Sequence, residues 1–239
     1  MTDPRSNNAP GWRVRRIPET GSTNADLLAE AAAGAPHGTV LVTDHQTAGK
    51  GRLGRVWDAP PGANLLVSVL FREGFDPARP HELTQRVGVA AARTVDRLAG
   101  VGAELKWPND VLVGGRKLAG ILAQAGGRDG RLTHVVVGMG LNLGWAPEGA
   151  ASLPGVDRDA FLTAWLEELA AGFQAGPIGA EYRRRLATLG QRVRVDLPDG
   201  AIEGVAVDVA DDGALVVEDG SGDRRVVSVG DVQHLRPAG

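Results

Sequence analysis

Short apolar runs and one longer helical pattern divide the first two thirds of the chain. Three of the runs predict strands, and they cover Trp12–Pro18, Thr39–Asp44 and Asn64–Phe71. The last run is apolar almost throughout, which is typical of a strand covered on both faces of its sheet. From His81 to Leu98 apolar residues recur at every fourth position, and this spacing predicts an amphipathic helix.

Further elements are predicted after that helix. They are strands over Leu105–Val113, Lys117–Ala125 and His134–Leu143, followed by helices over 158–173 and 178–189. Gly114-Gly115 separates the first two strands and favours a two-residue hairpin turn. Gly190 is placed to end the second helix. The glycines of the third strand leave room for a group that approaches the backbone closely.

From Gln191 onward the pattern changes to short alternating segments separated by turn-forming residues. The turns fall at 198–200, 211–213 and 220–222. Short strands with such turns suggest a small antiparallel barrel. We therefore predict a disordered leader at residues 1–11, a first domain at 12–189 and a barrel domain at 190–239.

The composition supports a packed core without a broadly charged surface. The 239 residues are 43% hydrophobic and carry a net charge of -3, so any anion site must be local. The sequence has no cysteine, which excludes a thiol nucleophile, a disulfide and cysteine-bound zinc. No apolar segment reaches the roughly 20 residues of a membrane span. We expect a cytoplasmic protein that binds neither a membrane nor DNA.

A basic, glycine-rich loop at residues 49–55 precedes Trp57. Lys50, Arg52 and Arg55 alternate with glycines, which let backbone N–H groups approach a ligand while the cations supply charge-assisted hydrogen bonds. This combination suits a phosphate or a carboxylate, although the sequence does not fit the GxxxxGK[ST] pattern of a P-loop. A solvated, mobile loop explains the same residues. Trp57 suits either stacking on a purine or a place in the core.

A second group of polar residues lies around the predicted hairpin. Asn109 and Asp110 present a carboxamide and a carboxylate together, which suits Mg²⁺ or a ribose. We place them in a strand, with Pro108 at an edge or a bulge. The hairpin brings Lys117 near Asn109, and a lysine on an otherwise apolar strand is a candidate for binding a carboxylate or a phosphate. A surface turn beside a surface lysine is the plainer interpretation of this segment alone.

Two further polar features have both a structural and a functional interpretation. Asn142 is the polar residue of GMGLNL, and a buried asparagine needs partners that a nucleotide could supply. Ser22, Thr23 and Asn24 precede a predicted helix that ends near Gly34, so one of the three is expected to cap it. The other two remain available to a ligand.

Four segments in this order resemble the catalytic domain of biotin protein ligases: ETGSTN, QTAGKGRLGRVW, KWPNDVLV with RKLAGIL, and GMGLNL. The resemblance covers about residues 12–190. It implies an α+β fold with a mixed β-sheet flanked by helices, related to class II aminoacyl-tRNA synthetases and lipoate ligases, and a C-terminal SH3-like β-barrel. It also implies that biotin and ATP form biotinyl-5′-AMP with Mg²⁺. The biotinyl group then passes to a lysine of a biotin carboxyl carrier protein domain of an acyl-CoA carboxylase.

The resemblance assigns roles to individual residues. Biotin would contact Ser22, Thr23, Asn24, Gln46, Lys50, Gly51, Arg52 and Lys117, of which Arg52 and Lys117 would act in catalysis. ATP and the adenylate would contact Arg55, Trp57, Asn109, Asp110 and Asn142, and Asp110 would bind Mg²⁺. The family often has arginine where this chain has Lys50, and lysine keeps the charge without the bidentate geometry. Because only about eleven residues precede Trp12, we expect no N-terminal DNA-binding winged helix and no repressor function.

Two alternative functions remain at this point. A lipoate or octanoate ligase shares the fold, but the RGGG-type motif expected of that group is absent from the sequence. A non-catalytic module for biotin or nucleic acid belongs to another functional class. The aromatic content of 4% and the negative net charge disfavour nucleic acid. The candidate catalytic residues Lys117, Arg52 and Asn109-Asp110 argue against a module that only binds biotin.

Overall fold

The structure, a computed structural model, describes residues 11–73, 75–197, 200–228 and 230–235. The predicted leader lies outside this part of the chain, apart from Gly11, so its disorder stays a prediction. Within the same part, no helix is both long and apolar enough to cross a membrane.

A seven-stranded mixed sheet forms the centre of the molecule. Its strands in chain order are β1 (Arg13–Thr20), β2 (Thr39–Gln46), β3 (Leu65–Phe71), β4 (Ala103–Lys106), β5 (Asp110–Val113), β6 (Arg116–Arg128) and β7 (Arg131–Leu141). They lie in the order β1-β2-β3-β7-β6-β5-β4. Strand β1 is parallel to β2, and the other neighbours are antiparallel. The predicted mixed sheet is confirmed.

Helices cover both faces of this sheet. They are α1 (Thr23–Ala32), α2 (His81–Ala99), α3 (Arg158–Gln174) and α4 (Gly179–Arg185). Helix α1 packs through Leu27 and Ala31 against Leu41 of β2 and Leu70 of β3. Helices α2 and α3 enclose the larger core on the opposite face. Strand β3 is buried at every position, as its continuous apolar run predicts.

The C-terminal part forms a separate five-stranded antiparallel sheet. Its strands are β8 (Arg192–Leu197), β9 (Gly200–Val209), β10 (Leu215–Glu218), β11 (Arg224–Val227) and β12 (Asp231–His234), in the order β11-β10-β9-β8-β12. This arrangement agrees with the predicted small SH3-like barrel. Its apolar residues join the main core, and Trp107 Nε1 donates a hydrogen bond to the Gly213 carbonyl at 2.9 Å. The two parts of the chain therefore meet across a packed interface, and the domain boundary at Leu189 stays a prediction.

The prediction of one strand over Leu105–Val113 is wrong. Strand β4 ends at Lys106, β5 begins at Asp110, and the two strands pair antiparallel with Lys106 opposite Asp110. Pro108 has no N–H to donate to a neighbouring strand, and the Trp107 N–H is bonded to Thr188 Oγ1 at 3.0 Å. Residues 107–109 are consequently a turn, and this turn carries Asn109.

The last predicted helix is also too long, and Gly190 does not end it. Helix α4 stops at Arg185, because the following residues pair with strand β4 instead of continuing the helix. Leu186 forms a bridge with Leu105, and the Ala187 N–H donates to the Leu105 carbonyl at 2.8 Å. The pairing competes with the helix for the same backbone groups.

Candidate active site

A cavity of about 890 Å³, including its open mouth, lies between the mixed sheet, the loop after β2 and the start of β12. Its walls contain twelve of the thirteen predicted site residues: Ser22, Thr23, Asn24, Gln46, Lys50, Gly51, Arg52, Arg55, Trp57, Asn109, Asp110 and Lys117. The fold therefore brings together residues that are far apart in the sequence. One end of the cavity is neutral and polar, and the other carries the cations.

The neutral end is a hydrogen-bonded group of buried side chains at the start of α1. Gln46 Oε1 accepts from the Thr23 N–H at 2.8 Å and lies 3.0 Å from Thr23 Oγ1. Ser68 Oγ lies 2.6 Å from Asn24 Oδ1 and 2.7 Å from Thr23 Oγ1. Asn24 Oδ1 carries no proton, so Ser68 must donate to it, and Thr23 donates its single proton to Ser68 or Gln46. Each side chain is thus held by its neighbours before any ligand binds.

Ser22 precedes the first residue of α1, but its side chain makes no capping hydrogen bond. The structure places Ser22 at the capping position, so the prediction that one of the three polar side chains caps α1 is wrong. Thr23 and Asn24 are occupied with Gln46 and Ser68 instead. The helix begins without a side-chain cap because these groups are directed into the cavity wall.

Glycine at position 138 creates the space for Asn24. A Cβ at Gly138 would lie well inside van der Waals contact with Asn24 Oδ1, and 3.2 Å from Ser68 Oγ. Asn24 Nδ2 also donates to the Leu122 carbonyl at 3.1 Å and to Gln124 Oε1 at 2.9 Å. Strands β6 and β7 thus fix the position of the Asn24 side chain. The close approach of another group to the backbone, predicted for the glycines of GMGLNL, is confirmed at Gly138.

Sequence reasoning missed Ser68 and Gln124. Ser68 interrupts the apolar run of β3 and is fully buried, and Gln124 interrupts the apolar run of β6. A lone polar residue in a buried strand needs a partner, and this was a signal that the sequence offered.

The resemblance to biotin protein ligases assigns Thr23 and Asn24 to biotin, and on that basis we expect Ser68→Ala to weaken biotin binding about tenfold and to lower the melting temperature. The substitution leaves Asn24 Oδ1 and Thr23 Oγ1 each short of a partner, and one unsatisfied buried polar group costs about 1–3 kcal/mol. Calorimetric titration with biotin and a thermal melt measure the two effects. Ser152→Ala serves as the control, because Ser152 lies outside the cavity wall and its side chain makes no hydrogen bond within the described part of the chain. An unchanged biotin affinity would show that Ser68 does not position Thr23 and Asn24 for biotin.

The cationic end of the cavity is organised around Lys117. Its Nζ lies 2.7 Å from Asp110 Oδ1 and 5.6 Å from the centre of the Trp57 ring. The predicted proximity of Lys117 to the Asn109-Asp110 pair is confirmed. Its side chain remains 39% exposed, so the ammonium group is accessible from the cavity while Asp110 fixes its position.

Arg52 connects the loop to both parts of the chain. Its guanidinium donates to Asn109 Oδ1 and to the Gly230 carbonyl, each at 3.2 Å. Burial lowers the pKa of Arg52 from its ordinary value, and the nearby carboxylates of Asp231 and Asp110 partly offset this effect. An arginine remains protonated under such conditions, so a fixed positive charge lies at the cavity wall.

Trp57 lies across two facing glycines of the sheet. Gly120 of β6 pairs with Gly140 of β7, and a Cβ at Gly140 would overlap the Trp57 ring. A Cβ at Gly120 would lie 2.9 Å from the same ring. Because neither glycine has a side chain, the Trp57 indole packs directly on the backbone of the sheet. The stacking of Trp57 on adenine stays a prediction.

Asn142 is the predicted residue that the structure places outside the cavity. It is buried, its Nδ2 donates to the Ala151 carbonyl at 3.0 Å, and its Oδ1 accepts from Asn64 Nδ2 at 3.3 Å. Asn64 in turn accepts from the Leu143 N–H at 3.0 Å. These hydrogen bonds hold the segment after β7 in place, and a contact of Asn142 with a nucleotide stays a prediction.

Asp231 is a cavity residue that no motif predicted. It begins β12 in the C-terminal sheet and forms an ion pair with Arg55. The hydrogen bond from this pairing raises the pKa of Arg55. Asp231 lies far from the motifs in the sequence, so no local pattern indicated that it reaches the cavity.

Few metal ligands are present at the site. Among the residues that the structure describes, no cluster of three histidine, cysteine, aspartate or glutamate side chains exists. Asp110 provides one carboxylate beside the cations. One carboxylate fits a Mg²⁺ ion that takes its remaining ligands from phosphates and water, and does not fit a metal held by protein alone.

Comparison with known proteins gives a consistent result. A model of the biotin/lipoate A/B protein ligase family matches residues 15–142, and a model of the biotin protein ligase C-terminal domain matches residues 188–235. The chain is 44% identical to the biotin–[acetyl-CoA-carboxylase] ligase of Mycobacterium tuberculosis, over 95% of this chain and 91% of that protein.

Two more distant relatives extend the comparison. The bifunctional ligase/repressor of Bacillus subtilis is 29% identical, over 81% of this chain and 66% of that protein. The solved biotin protein ligase from Aquifex aeolicus, in complex with biotin and ATP, has a similar fold with a TM-score of 0.79 at 23% identity. The similarity covers 93% of this chain and 99% of the Aquifex chain.

Proposed function

The chain belongs to the biotin/lipoate A/B protein ligase family, and we propose that it is an ATP-dependent biotin protein ligase. In the first step, a carboxylate oxygen of biotin attacks the α-phosphorus of ATP, an O–P bond forms, and pyrophosphate leaves. In the second step, a lysine amine of the acceptor attacks the acyl carbon of biotinyl-5′-AMP, and AMP leaves. An amide bond to biotin is the product.

The observation that carries this proposal is the division of one cavity into a neutral polar end and a cationic end. Thr23, Asn24 and Gln46 line the first, whereas Lys50, Arg52 and Lys117 line the second. The ureido ring of biotin has N–H donors and a carbonyl acceptor, which match hydroxyl and carboxamide groups. The valerate carboxylate at the other end of biotin matches the cations.

The cations address the main barrier to the first step. A carboxylate and an α-phosphate repel each other, and positive charges held at fixed positions lower this repulsion and keep the reactants in line. Asp110 holds the Lys117 ammonium group at 2.7 Å, and Asn109 orients Arg52. The protein therefore supplies orientation and electrostatic stabilisation, and no side chain is asked to form a covalent bond.

Mg²⁺ would be held by Asp110 together with phosphate oxygens of ATP. When bound, it would neutralise phosphate charge beside the leaving pyrophosphate. Asp110 would then share its carboxylate between the metal and Lys117. Asn109 keeps its Nδ2 bonded to the Ile121 carbonyl at 2.7 Å, which fixes the turn that carries both residues.

The proposed acceptor is a biotin carboxyl carrier protein domain of an acyl-CoA carboxylase. The name of the Mycobacterium tuberculosis relative supports this, since it gives acetyl-CoA carboxylase as the protein that is biotinylated. We place the reaction in the cytoplasm, since it consumes ATP. The match of residues 188–235 to the biotin protein ligase C-terminal domain favours biotin over lipoate as the substrate.

Pyrophosphate release from Mg²⁺–ATP tests the proposal, with biotin, with lipoate and with neither. Mass spectrometry of an added carrier domain then identifies the product. Release that depends on biotin, and one biotinylated lysine on the carrier, support a biotin protein ligase. Release with lipoate alone would assign the chain to the sister group. No release despite measurable biotin binding would leave a binding module.

We expect Arg52→Gly to release biotinyl-5′-AMP into solution and to label proteins without selectivity. The substitution removes the bonds to Asn109 and to the Gly230 carbonyl, so the loop loses one contact with each part of the chain and is held less firmly over the cavity. A mixed anhydride that escapes reacts with any lysine it meets. Biotinylation of serum albumin, added as a bystander, measures the effect. Arg72→Gly is a control arginine outside the cavity, and unchanged selectivity of Arg52→Gly would rule out the retention role.

A further inference from the structure

The C-terminal sheet contacts the basic loop at two adjacent residues. The Asp231 carboxylate forms an ion pair with Arg55, and their side chains are 34% and 58% exposed. The preceding residue, Gly230, accepts a hydrogen bond from Arg52 on its carbonyl at 3.2 Å. Two cations of the loop are therefore attached to strand β12 or to the residue before it.

The loop has few other contacts that would keep it over the cavity. Its tip carries Leu53 and Val56, which are 62% and 76% exposed. Leu53 also adopts a φ of +55°, a conformation that is unfavourable for a leucine. A segment with an exposed apolar tip and little packing opens readily unless polar contacts hold it. Trp57, at the base of the loop, packs on the sheet but does not fix the tip.

We propose that Asp231 is a positioning residue, which latches the loop 49–57 over the cavity by pairing with Arg55. The carbonyl of Gly230 completes the latch through Arg52. The C-terminal sheet then determines how long the loop stays closed over the mixed anhydride. The role of Asp231 in retaining the adenylate rests on the proposed function, whereas its role in holding the loop does not.

The glycine at position 230 supports this arrangement. A Cβ there would collide with Val195 Cγ1 and approach the Asp196 carbonyl at 3.1 Å. The backbone at 230 is therefore packed closely against β8, which fixes the direction of its carbonyl. Strand β12 is also paired with β8 along its length, so Asp231 starts from a rigid support.

The first test is limited trypsin digestion of the full chain without any ligand. Cleavage after Lys50 and Arg52, identified by fragment mass, reports opening of the loop and does not depend on enzymatic activity. We expect Asp231→Asn to accelerate this cleavage about two- to fivefold, the range for an exposed ion pair. Glu218→Gln is the matched control, because Glu218 forms an ion pair with Arg224 elsewhere in the same sheet. Equal cleavage of Asp231→Asn and the wild type would overturn the latch.

The second test measures the rate at which preformed biotinyl-5′-AMP leaves the enzyme. We expect Asp231→Asn to accelerate release and Glu218→Gln to leave it unchanged. Because Arg55 is itself predicted to contact the adenylate, the coupling of the pair is measured by the ligand-free digestion instead. There we expect Asp231→Asn, Arg55→Gln and the double variant to accelerate cleavage after Lys50 and Arg52 to a similar extent, because all three break the same pair. Effects of the two single variants that multiply in the double variant would show independent roles and overturn the proposal. If the wild type forms no adenylate, the proposed function fails, and the digestion result still decides whether the latch exists.

Discussion

Replacement of Lys117 by methionine is expected to lower the rate of biotinyl-5′-AMP formation by about 10²- to 10³-fold, the range for loss of one preorganised charge at a reacting oxygen. Lys117 Nζ lies at the cationic end of the cavity, 2.7 Å from Asp110 Oδ1. Methionine keeps the length and apolar stem of the side chain but removes the charge. It also leaves Asp110 without its ion-pair partner, close to the phosphates.

Biotin-dependent exchange of pyrophosphate into ATP measures this effect. Arg116→Met is the matched control, because Arg116 is the preceding residue of β6 and its side chain is exposed outside the cavity. Exchange at a rate close to that of the wild type in Lys117→Met would show that Lys117 does not act on the reacting groups. A thermal melt of each variant separates a catalytic defect from a loss of folding.

Gly138→Ala is expected to weaken biotin binding about 10²-fold. The new Cβ would overlap Asn24 Oδ1, so Asn24 must leave its position and lose its bonds to Ser68, the Leu122 carbonyl and Gln124. Two or more buried polar groups are then left unsatisfied, each at a cost of about 1–3 kcal/mol. Part of that cost appears as lower stability and part as lower affinity.

Titration of Gly138→Ala with biotin tests the expectation against two other glycine variants. At Gly102 no heavy atom lies within 4 Å of an added Cβ, so Gly102→Ala is expected to bind biotin normally. At Gly140 the added Cβ would overlap the Trp57 ring, so Gly140→Ala is expected to impair adenylate formation more than biotin binding. Normal biotin affinity in a folded Gly138→Ala protein would show that Asn24 is not part of the biotin pocket.

Local sequence patterns were sufficient for most strands of the main sheet and for several of the residues that line the cavity. Strand β3 is predictable because a strand covered on both faces must be apolar along its whole length. Helix α2 is predictable because Leu83, Val87, Ala91 and Val95, which are all fully buried, recur at every fourth position. The basic loop is recognisable because glycines and cations alternate over a few residues. In each case the residues that form the pattern are the same residues that form the strand, the helix or the loop.

Errors arose where a distant segment competed for the same backbone or side chain. The turn at 107–109 and the end of α4 depend on pairing between Leu105 and Leu186, which are remote in sequence. For Asn142 the sequence indicated a need for partners, and in the structure Asn64 and the Ala151 carbonyl supply hydrogen bonds. A sequence shows that a buried polar group needs a partner, but it does not show which partner lies within reach.

The sequence by itself determined most strands of the main sheet, the C-terminal run of short strands and the basic, glycine-rich loop, and the family resemblance implied that the sheet is mixed. The tertiary structure decided which groups face the cavity and what holds them there. Ser68 joins Thr23 to Asn24, and Asp231 reaches Arg55 from another sheet. These contacts depend on distances across the folded chain, and hydrogen bonds and ion pairs act over only a few ångströms. No pattern of neighbouring residues encodes such a distance, so the positioning of the site belongs to the fold.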